Sequence, residues 1–559
     1  GPRVRFTGDV EADILTAMFY ANVQDIRHKI DLTGMYHTST AYAPSWGDYT
    51  GFGTWADRVG RYYDESWTRD LGRSLQELTE LGYLDPATSC ADYCFRAARR
   101  WAQDPKLAYR GVQLPPHWSR IANRPEPMVG HGVFENDGHG LVMLFTYKLW
   151  QRQPDPAGWL RLHWSDVVAA GDWIAWQLDH PDVSGATQVL QTDSECAGGI
   201  GPAKYADMAC LEGLDAYAAM ADSIGASEAA ERWRQTAARL RAGMEAAYFA
   251  TDAYGPTWTL RPAGWPHLST NLGPLILRAD LQGWSSEDEA ADWRLRDLHA
   301  YQRLVDTYRP FGFYGSAMGY GQGFVTEAAL LLDRMQDASA MLHWLAKATW
   351  YPRDQPFIVP EGCEIEPGGR FWHRVGDLGN GVQEGEAVKV MRLVLGVDDT
   401  RPERTRLMPR LPSPWTELNL SNYPVLTVDR GRPVTRHVTV RYHRAGDQAS
   451  IDLASDGAIA HLDTRLGPFS HAVDQARLNG QVVAGRPEQS GDSWWLWLPT
   501  QAEVNRMHVQ VKEAPARGGS MACGPFPNAR HRSILRRSRT PGAAGHRVVS
   551  GAQGGRTAR

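Results

Sequence analysis

Four short stretches of this chain place carboxylates beside aromatic rings, glycines or arginine, the mixture needed to hold and cleave a bond between sugars. The first is Glu65-Ser66-Trp67-Thr68-Arg69-Asp70 and the second Phe134-Glu135-Asn136-Asp137-Gly138-His139-Gly140. The third is Thr192-Asp193-Ser194-Glu195-Cys196-Ala197-Gly198-Gly199. The fourth is Val359-Pro360-Glu361-Gly362-Cys363-Glu364-Ile365-Glu366, followed by Phe371-Trp372-His373. Glycoside cleavage with inversion requires one protonated carboxyl at the leaving oxygen and a second carboxylate to activate water, roughly 6.5–9.5 Å apart. Arginine and aspartate fix hydroxyls, and a tryptophan offers a flat face to a sugar ring. Each stretch also has a plainer reading. Asp70 suits the first turn of a helix through the helix dipole. Residues 135–140 and Ser194 can act as N-terminal caps. In the fourth stretch any of three glutamates could be the working one, and Glu384 and Glu386 stand nearby on a helix.

These stretches need a frame, and residues 8–400 read as helix pairs. Leu71, Leu75, Leu78 and Leu81 share a helical face closed by Gly82, and a second helix carries Cys90, Cys94, Ala97 and Trp101. The plan recurs on either side of residues 153–156 and of 224–226, and then around Gln336-Asp337. A last helix near 384–395 stops at Gly396. Short connections force antiparallel neighbours. The long links at 34–66, 104–134, 179–203, 251–274 and 351–382 favour a closed (α/α)6 barrel with loops over one mouth, rather than a helical solenoid. The pattern changes at about 405. His437-Val438-Thr439-Val440-Arg441-Tyr442 alternates with period two and Asn479-Gly480 is a hairpin signal, so residues 405–513 are expected to form a small antiparallel β-sandwich. Residues 514–559 lack periodicity and are expected to be a disordered basic tail.

Composition narrows the chemistry. Of 559 residues 43% are hydrophobic, enough for a large core, and the formal charge is −5. The tail holds nine Arg and no Asp, Glu or Lys; without it 50 basic residues face 64 acidic ones, a charge of −14. So acidic a body argues against nucleic acid as a partner. No apolar run nears the ~20 residues of a membrane helix. Gly1-Pro2-Arg3 shows no signal pattern, and a secreted or periplasmic site is favoured on substrate grounds only. The six Cys fit neither a disulfide scaffold nor zinc spacing and are expected to be buried thiols. Twenty-two Trp against 14 Phe leans toward carbohydrate, although a large aromatic core absorbs most of them.

Taken in order, the four stretches resemble the glucoamylase family, family fifteen of the glycoside hydrolases. Trp67-Thr68-Arg69-Asp70 resembles its W-x-R-D element, and Glu135 to Gly140 resembles Q-x-D-x-x-G. Asp193-Ser194-Glu195 resembles the W-E-E loop, and Pro360-Glu361-Gly362 resembles P-E-Q. Departures stand beside these matches. The acid loop lacks its Trp, Glu135 stands for Gln, W-S-H-A reads Leu378 to Glu384, and the β-domain follows the barrel instead of preceding it. A C-terminal sandwich is similar to the wider six-hairpin clan, which includes the α-L-rhamnosidases. The resemblance implies an (α/α)6 barrel and an exo-acting inverting glycosidase, with Glu195 as general acid and Glu361 as general base. It implies that Trp67, Arg69, Asp70, Glu135 and Asp137 grip the terminal sugar.

Tyr320, Trp372 and His373 complete the expected substrate-binding set. No metal or organic cofactor is needed, and the expected partner is a carbohydrate substrate alone. Three rival readings use the same barrel. An inverting phosphorylase would gather phosphate around Gly376 to Glu386 with His373 and Arg374. A polysaccharide lyase would want basic residues, which an acidic body disfavours. A sugar-binding protein with a degenerate site is the non-enzymatic alternative.

Overall fold

The computed structural model describes residues 1–39, 65–101, 117–119, 124–125, 135–194, 199–259, 271–285, 287, 290–308, 318–350, 357–365 and 372–512. Glu195 and the expected tail at 514–559 lie outside the described residues. Twelve helices longer than one turn form among them: α1 (Val10–His28), α2 (Thr68–Glu80), α3 (Leu84–Trp101), α4 (Asn136–Gln151), α5 (Pro156–Asp179), α6 (Lys204–Ser223), α7 (Ser227–Tyr248), α8 (Gly273–Gln282), α9 (Ala291–Tyr308), α10 (Phe324–Leu331), α11 (Met335–Trp350) and α12 (Gly381–Leu395).

The even-numbered helices are almost wholly buried, and they close a ring. α2 packs on α4, α4 on α6, α6 on α8, α8 on α10, α10 on α12, and α12 returns to α2. A solenoid would leave its first and last helices apart, so this contact of α12 with α2 makes the fold an (α/α)6 barrel. The odd-numbered helices form the outer layer. The C-terminus of α1 meets the N-terminus of α12, where Lys29 pairs with Glu384. Outer and inner helices therefore run in opposite directions, and the long connections leading into the inner helices gather at one mouth.

Close helix packing explains the glycines in the inner ring. A Cβ at Gly140 would fall 2.3 Å from the Ala209 carbonyl carbon, and one at Gly72 would fall 2.6 Å from the Leu141 Cβ. Any larger residue there would push neighbouring helices apart. The expected helix ends at Gly82 and Gly396 are present, both in the left-handed region at φ +83° and +72°. One break differs from expectation. The turn between α10 and α11 lies at Leu332 to Arg334, with Asp333 at φ +55°, and Met335 already begins the next helix. The cause lies far away in sequence, in the sheet. Arg465 donates to Asp333 at 2.6 Å, and the Asp492 carboxylate caps α11 by accepting from Met335 N and Gln336 N at 2.9 Å each.

The C-terminal part is an antiparallel sheet built on long strands, Glu417–Asp429, Arg432–Ala445, Gln448–Phe469 and Gln501–Val511. Strand Gln448–Phe469 spans two neighbourhoods. Its first half pairs with the strands either side, and its second half pairs with Ser493–Trp497 and, in parallel, with Thr405–Leu407. Asn479-Gly480 forms the expected tight turn, both residues with positive φ. The N-terminal strand Arg3–Thr7 adds to the same sheet against Glu417–Ser421, so the chain begins in the sheet, crosses into the barrel and returns.

Candidate functional site

The mouth is assembled from connections that enter inner helices. Strand Glu65–Trp67 runs straight into α2, and its partner His117–Ser119 continues the small sheet to Arg124–Pro125. Strands Thr192–Ser194 and Gly199–Gly201 pair and lead to α6; Glu195 lies outside the described residues. Hairpin Pro360–Ile365/Trp372–Leu378 leads to α12. Four of the regular pieces among the long connections are thus β-hairpins or small sheets, since strand Phe249–Asp252 also pairs with Gly255–Trp258 where an irregular link is expected.

Five of the expected site residues meet at the start of α2 and α4. Arg69 reaches across the helix pair, pairing with Glu135 and, through Nε, with Asp137 Oδ2 at 2.8 Å. All three side chains are buried, Arg69 being 7% exposed. Trp67 is buried beside them, its backbone N–H bonded to Thr38 Oγ1 at 3.1 Å. Asp70 accepts from Val382 N at 3.2 Å, which fixes the start of α12 to the start of α2. Ser74 donates to Gly381 O at 2.6 Å and accepts from Tyr36 OH at 3.0 Å, reinforcing the same joint.

The third and fourth stretches are tied to this cluster by residues that sequence reading does not single out. Asn136 N donates to Thr192 Oγ1 at 3.1 Å, while its side chain bonds Gln177 and the Gln191 carbonyl. Strand Thr192–Ser194 is thereby anchored against the N-terminus of the helix that Glu135 precedes and Asp137 opens. Asp207 on α6 accepts from Leu190 N at 2.9 Å and from Tyr248 OH, holding the approach to that strand. Glu361 is partly exposed at the start of strand Pro360–Ile365, whose pairing with Leu378 leads directly to α12. Asn22 on α1 steadies this strand, accepting from Val359 N at 2.9 Å and donating to Phe357 O at 2.8 Å.

Trp372 and His373 stand opposite Ile365 and Glu364 in the same hairpin, and Tyr320 lies in the π-helical turn Met318–Gly323 before α10; their side chains are outside the described set. His139 does not join the site. It is buried with Nε2 against Ala170 O at 2.9 Å, and burial lowers it to about 4, so it is a neutral core residue linking α4 to α5.

Beneath the mouth, buried ionisable side chains of the inner helices pair with one another across the ring. Arg73 is forked onto Glu386, with Nη2 to Oε2 at 2.7 Å, and also pairs with Asp280. Lys389 reaches Asp280 at 2.6 Å, Arg392 reaches Glu77 at 2.6 Å and also Glu80, and Lys148 reaches Glu80 at 2.8 Å. Glu327 on α10 lies beside Glu386, where burial and then the Glu386 charge push it well above the ordinary carboxylate range. Four cations thus face five carboxyl groups. Asp280 moves the other way. Burial would raise it, but Arg73, Lys389 and Lys148 outweigh burial and hold it well below its usual value. Glu384 is engaged with Lys29, which also lies 3.2 Å from Asp25. Glu384 and Glu386 are therefore committed to ion pairs.

Among the described residues no group of three His, Cys, Asp or Glu could hold a metal ion, and no helix is long and apolar enough to cross a membrane. Cys90, Cys94 and Cys210 are buried free thiols.

No protein-family model matches the sequence, and no curated protein matches it. Solved structures do match. The Streptomyces avermitilis α-L-rhamnosidase complexed with L-rhamnose aligns over 92% of this chain and 42% of its own, at 14% identity and a TM-score of 0.56. The α-L-rhamnosidase from Dictyoglumus thermophilum aligns over 91% and 50%, at 10% identity and 0.54. The Aspergillus terreus α-L-rhamnosidase aligns over 92% and 50%, at 13% identity and 0.50. The chain spans half or less of the length of these enzymes. At such identities the likeness is one of fold: a six-hairpin (α/α)6 barrel continued by an antiparallel sheet.

Proposed function

We propose that this chain is an exo-acting, inverting glycoside hydrolase that removes a terminal sugar at the mouth of the barrel. One observation carries the reading. Buried Arg69, Glu135 and Asp137 form a single cluster beneath the mouth; strand Thr192–Ser194, which precedes Glu195 in sequence, is pinned beside it through Asn136–Thr192, and the start of α12, into which the hairpin of Glu361 leads, is pinned to α2 through Asp70–Val382. The rhamnosidases named above support it through their shared fold.

In this reading Glu195 protonates the leaving oxygen. That role requires a carboxyl that still holds its proton near neutral pH. Glu361 takes a proton from the attacking water. Its partial exposure suits a group that must meet solvent water. Arg69 balances the charge of two carboxylates whose remaining lone pairs accept sugar hydroxyls, with Asp70 beside them. Trp67 offers a flat indole to the sugar ring, and Trp372, His373 and Tyr320 are the further residues proposed to contact substrate.

The test is a panel of aryl glycosides and oligosaccharides, with aryl α-L-rhamnosides first, read by NMR of the anomer released. The expected result is hydrolysis with inversion, with Glu195→Gln and Glu361→Gln each losing about a hundredfold to ten-thousandfold in rate. Near-full activity in both variants, or release of the retained anomer, overturns the assignment.

A further inference from the structure

A second concave site lies away from the mouth. The N-terminal half of α1 and the open face of the sheet enclose a cleft of about 970 Å³, within the usual range for ligand sites. Because outer helices run against inner ones, this half of α1 lies toward the opposite end of the barrel. Alternation along the strands sets what faces the cleft. Arg3 and Arg5 point outward between buried Val4 and Phe6, and Arg441 points outward between buried Val440 and Tyr442. The register places Arg5 opposite Asn419 and Asn419 opposite Arg441. The two guanidiniums therefore stem from backbone about 10 Å apart, with an amide between them.

The chemistry of this lining is specific in one respect. The guanidinium groups of Arg3, Arg5 and Arg441 make no hydrogen bond or ion pair with any described residue, and neither do the carboxylates of Asp13 and Glu417 in the same cleft. Donors and acceptors of both signs thus face one hollow without neutralising one another. A polyanion would meet those carboxylates as well as the arginines. A neutral polyol offers hydroxyls that donate and accept, and it matches both. Tyr20, whose hydroxyl is occupied by the Val4 backbone, and Ala17 supply an apolar wall for the C–H face of a ring.

We propose that this cleft is a second, non-catalytic binding groove for a neutral oligosaccharide, holding the chain of a glycan whose end is processed at the mouth. The groove rests on the reading of the protein as glycan-processing, and the experiment separates the two. Neutral tetra- to hexasaccharides, chiefly rhamno-, malto- and xylo-oligosaccharides, and uronate oligosaccharides of the same length are titrated calorimetrically into the full chain carrying Glu361→Gln. The same titration is repeated with Arg5→Ala/Arg441→Ala added. Both arginines are exposed, so the fold is retained, which the melting temperature checks. The expected result is a loss of affinity of about tenfold or more for one of these series. Aryl-glycoside hydrolysis by the Arg5→Ala/Arg441→Ala chain with Glu361 intact should be unchanged. Unchanged affinity for every series, or binding confined to uronate oligosaccharides, overturns the groove. Loss of binding in a chain that hydrolyses no aryl glycoside upholds the groove and overturns the catalytic reading instead.

Discussion

Arg69 answers to two carboxylates on another helix, and replacing it tests whether the cluster is a unit. In Arg69→Met, Glu135 and Asp137 would remain buried with their shared cation gone. Breaking a buried ion pair in this way destabilises by about 3–5 kcal/mol, so a clear drop in melting temperature is expected by calorimetry, alongside lost activity. Glu212 on α6 gives a prediction in pH. Burial, with a smaller push from Asp215, raises it from 4.5 to about 8, although Gln282 donates to it at 2.9 Å. The folded chain keeps a proton that the unfolded chain releases between about pH 4.5 and 8, so stability falls as pH rises through that window. Glu212→Gln removes this dependence, and the melting temperature should become flatter between pH 5 and 8. On the acid side the sign reverses. Despite burial, Asp333 is held well below its ordinary value by Arg465 and Arg410, and Asp280 by Arg73; their stabilisation is lost as pH falls below the ordinary carboxylate range.

Among the elements, the α10–α11 turn shows how the sheet determines a barrel feature. Met335 fits an apolar helical face and extends α10 on pattern alone, yet the chain turns three residues earlier. Asp333 adopts the left-handed conformation that aspartate tolerates better than most residues, and buried Arg465 and Arg410 hold it there. Asp333→Ala would leave buried Arg410 without its carboxylate partner and Arg465 with Glu488 alone, and a loss of about 3–5 kcal/mol is expected in denaturant unfolding. Asp492→Ala removes the cap from α11 and should cost about 0.5–2 kcal/mol. The short hairpins at the mouth teach the same lesson in reverse. Their sequences are rich in glycine and acid and carry too few alternating residues to mark strands, so they read as loops.

For the whole molecule, the closing strand is the informative piece. Residues 3–7 pair along Glu417–Ser421, and Tyr20 on α1 bonds the Val4 backbone from the barrel side. Deleting residues 1–7 should expose the edge of strand Glu417–Asp429 and lower the melting temperature. A change confined to the sheet, with the barrel transition unaltered in calorimetry, would show that the strand does not couple the two layers. The helix pairs, the stops at Gly82 and Gly396, the switch to strands after the barrel and the Asn479-Gly480 turn were legible because each is local, set by periodicity or by one residue's backbone freedom. The four acidic stretches stand out in the sequence for the same reason, by local composition. What only the tertiary structure decided is which residues face each other across the ring. It joined Arg69 to Glu135 and Asp137, buried Glu384 and Glu386 in ion pairs, and lined the bore with compensating charges. A charged residue on a helix carries no sign of whether it meets water or a partner. That depends on a helix arriving from hundreds of residues away, and only ring closure brings it there.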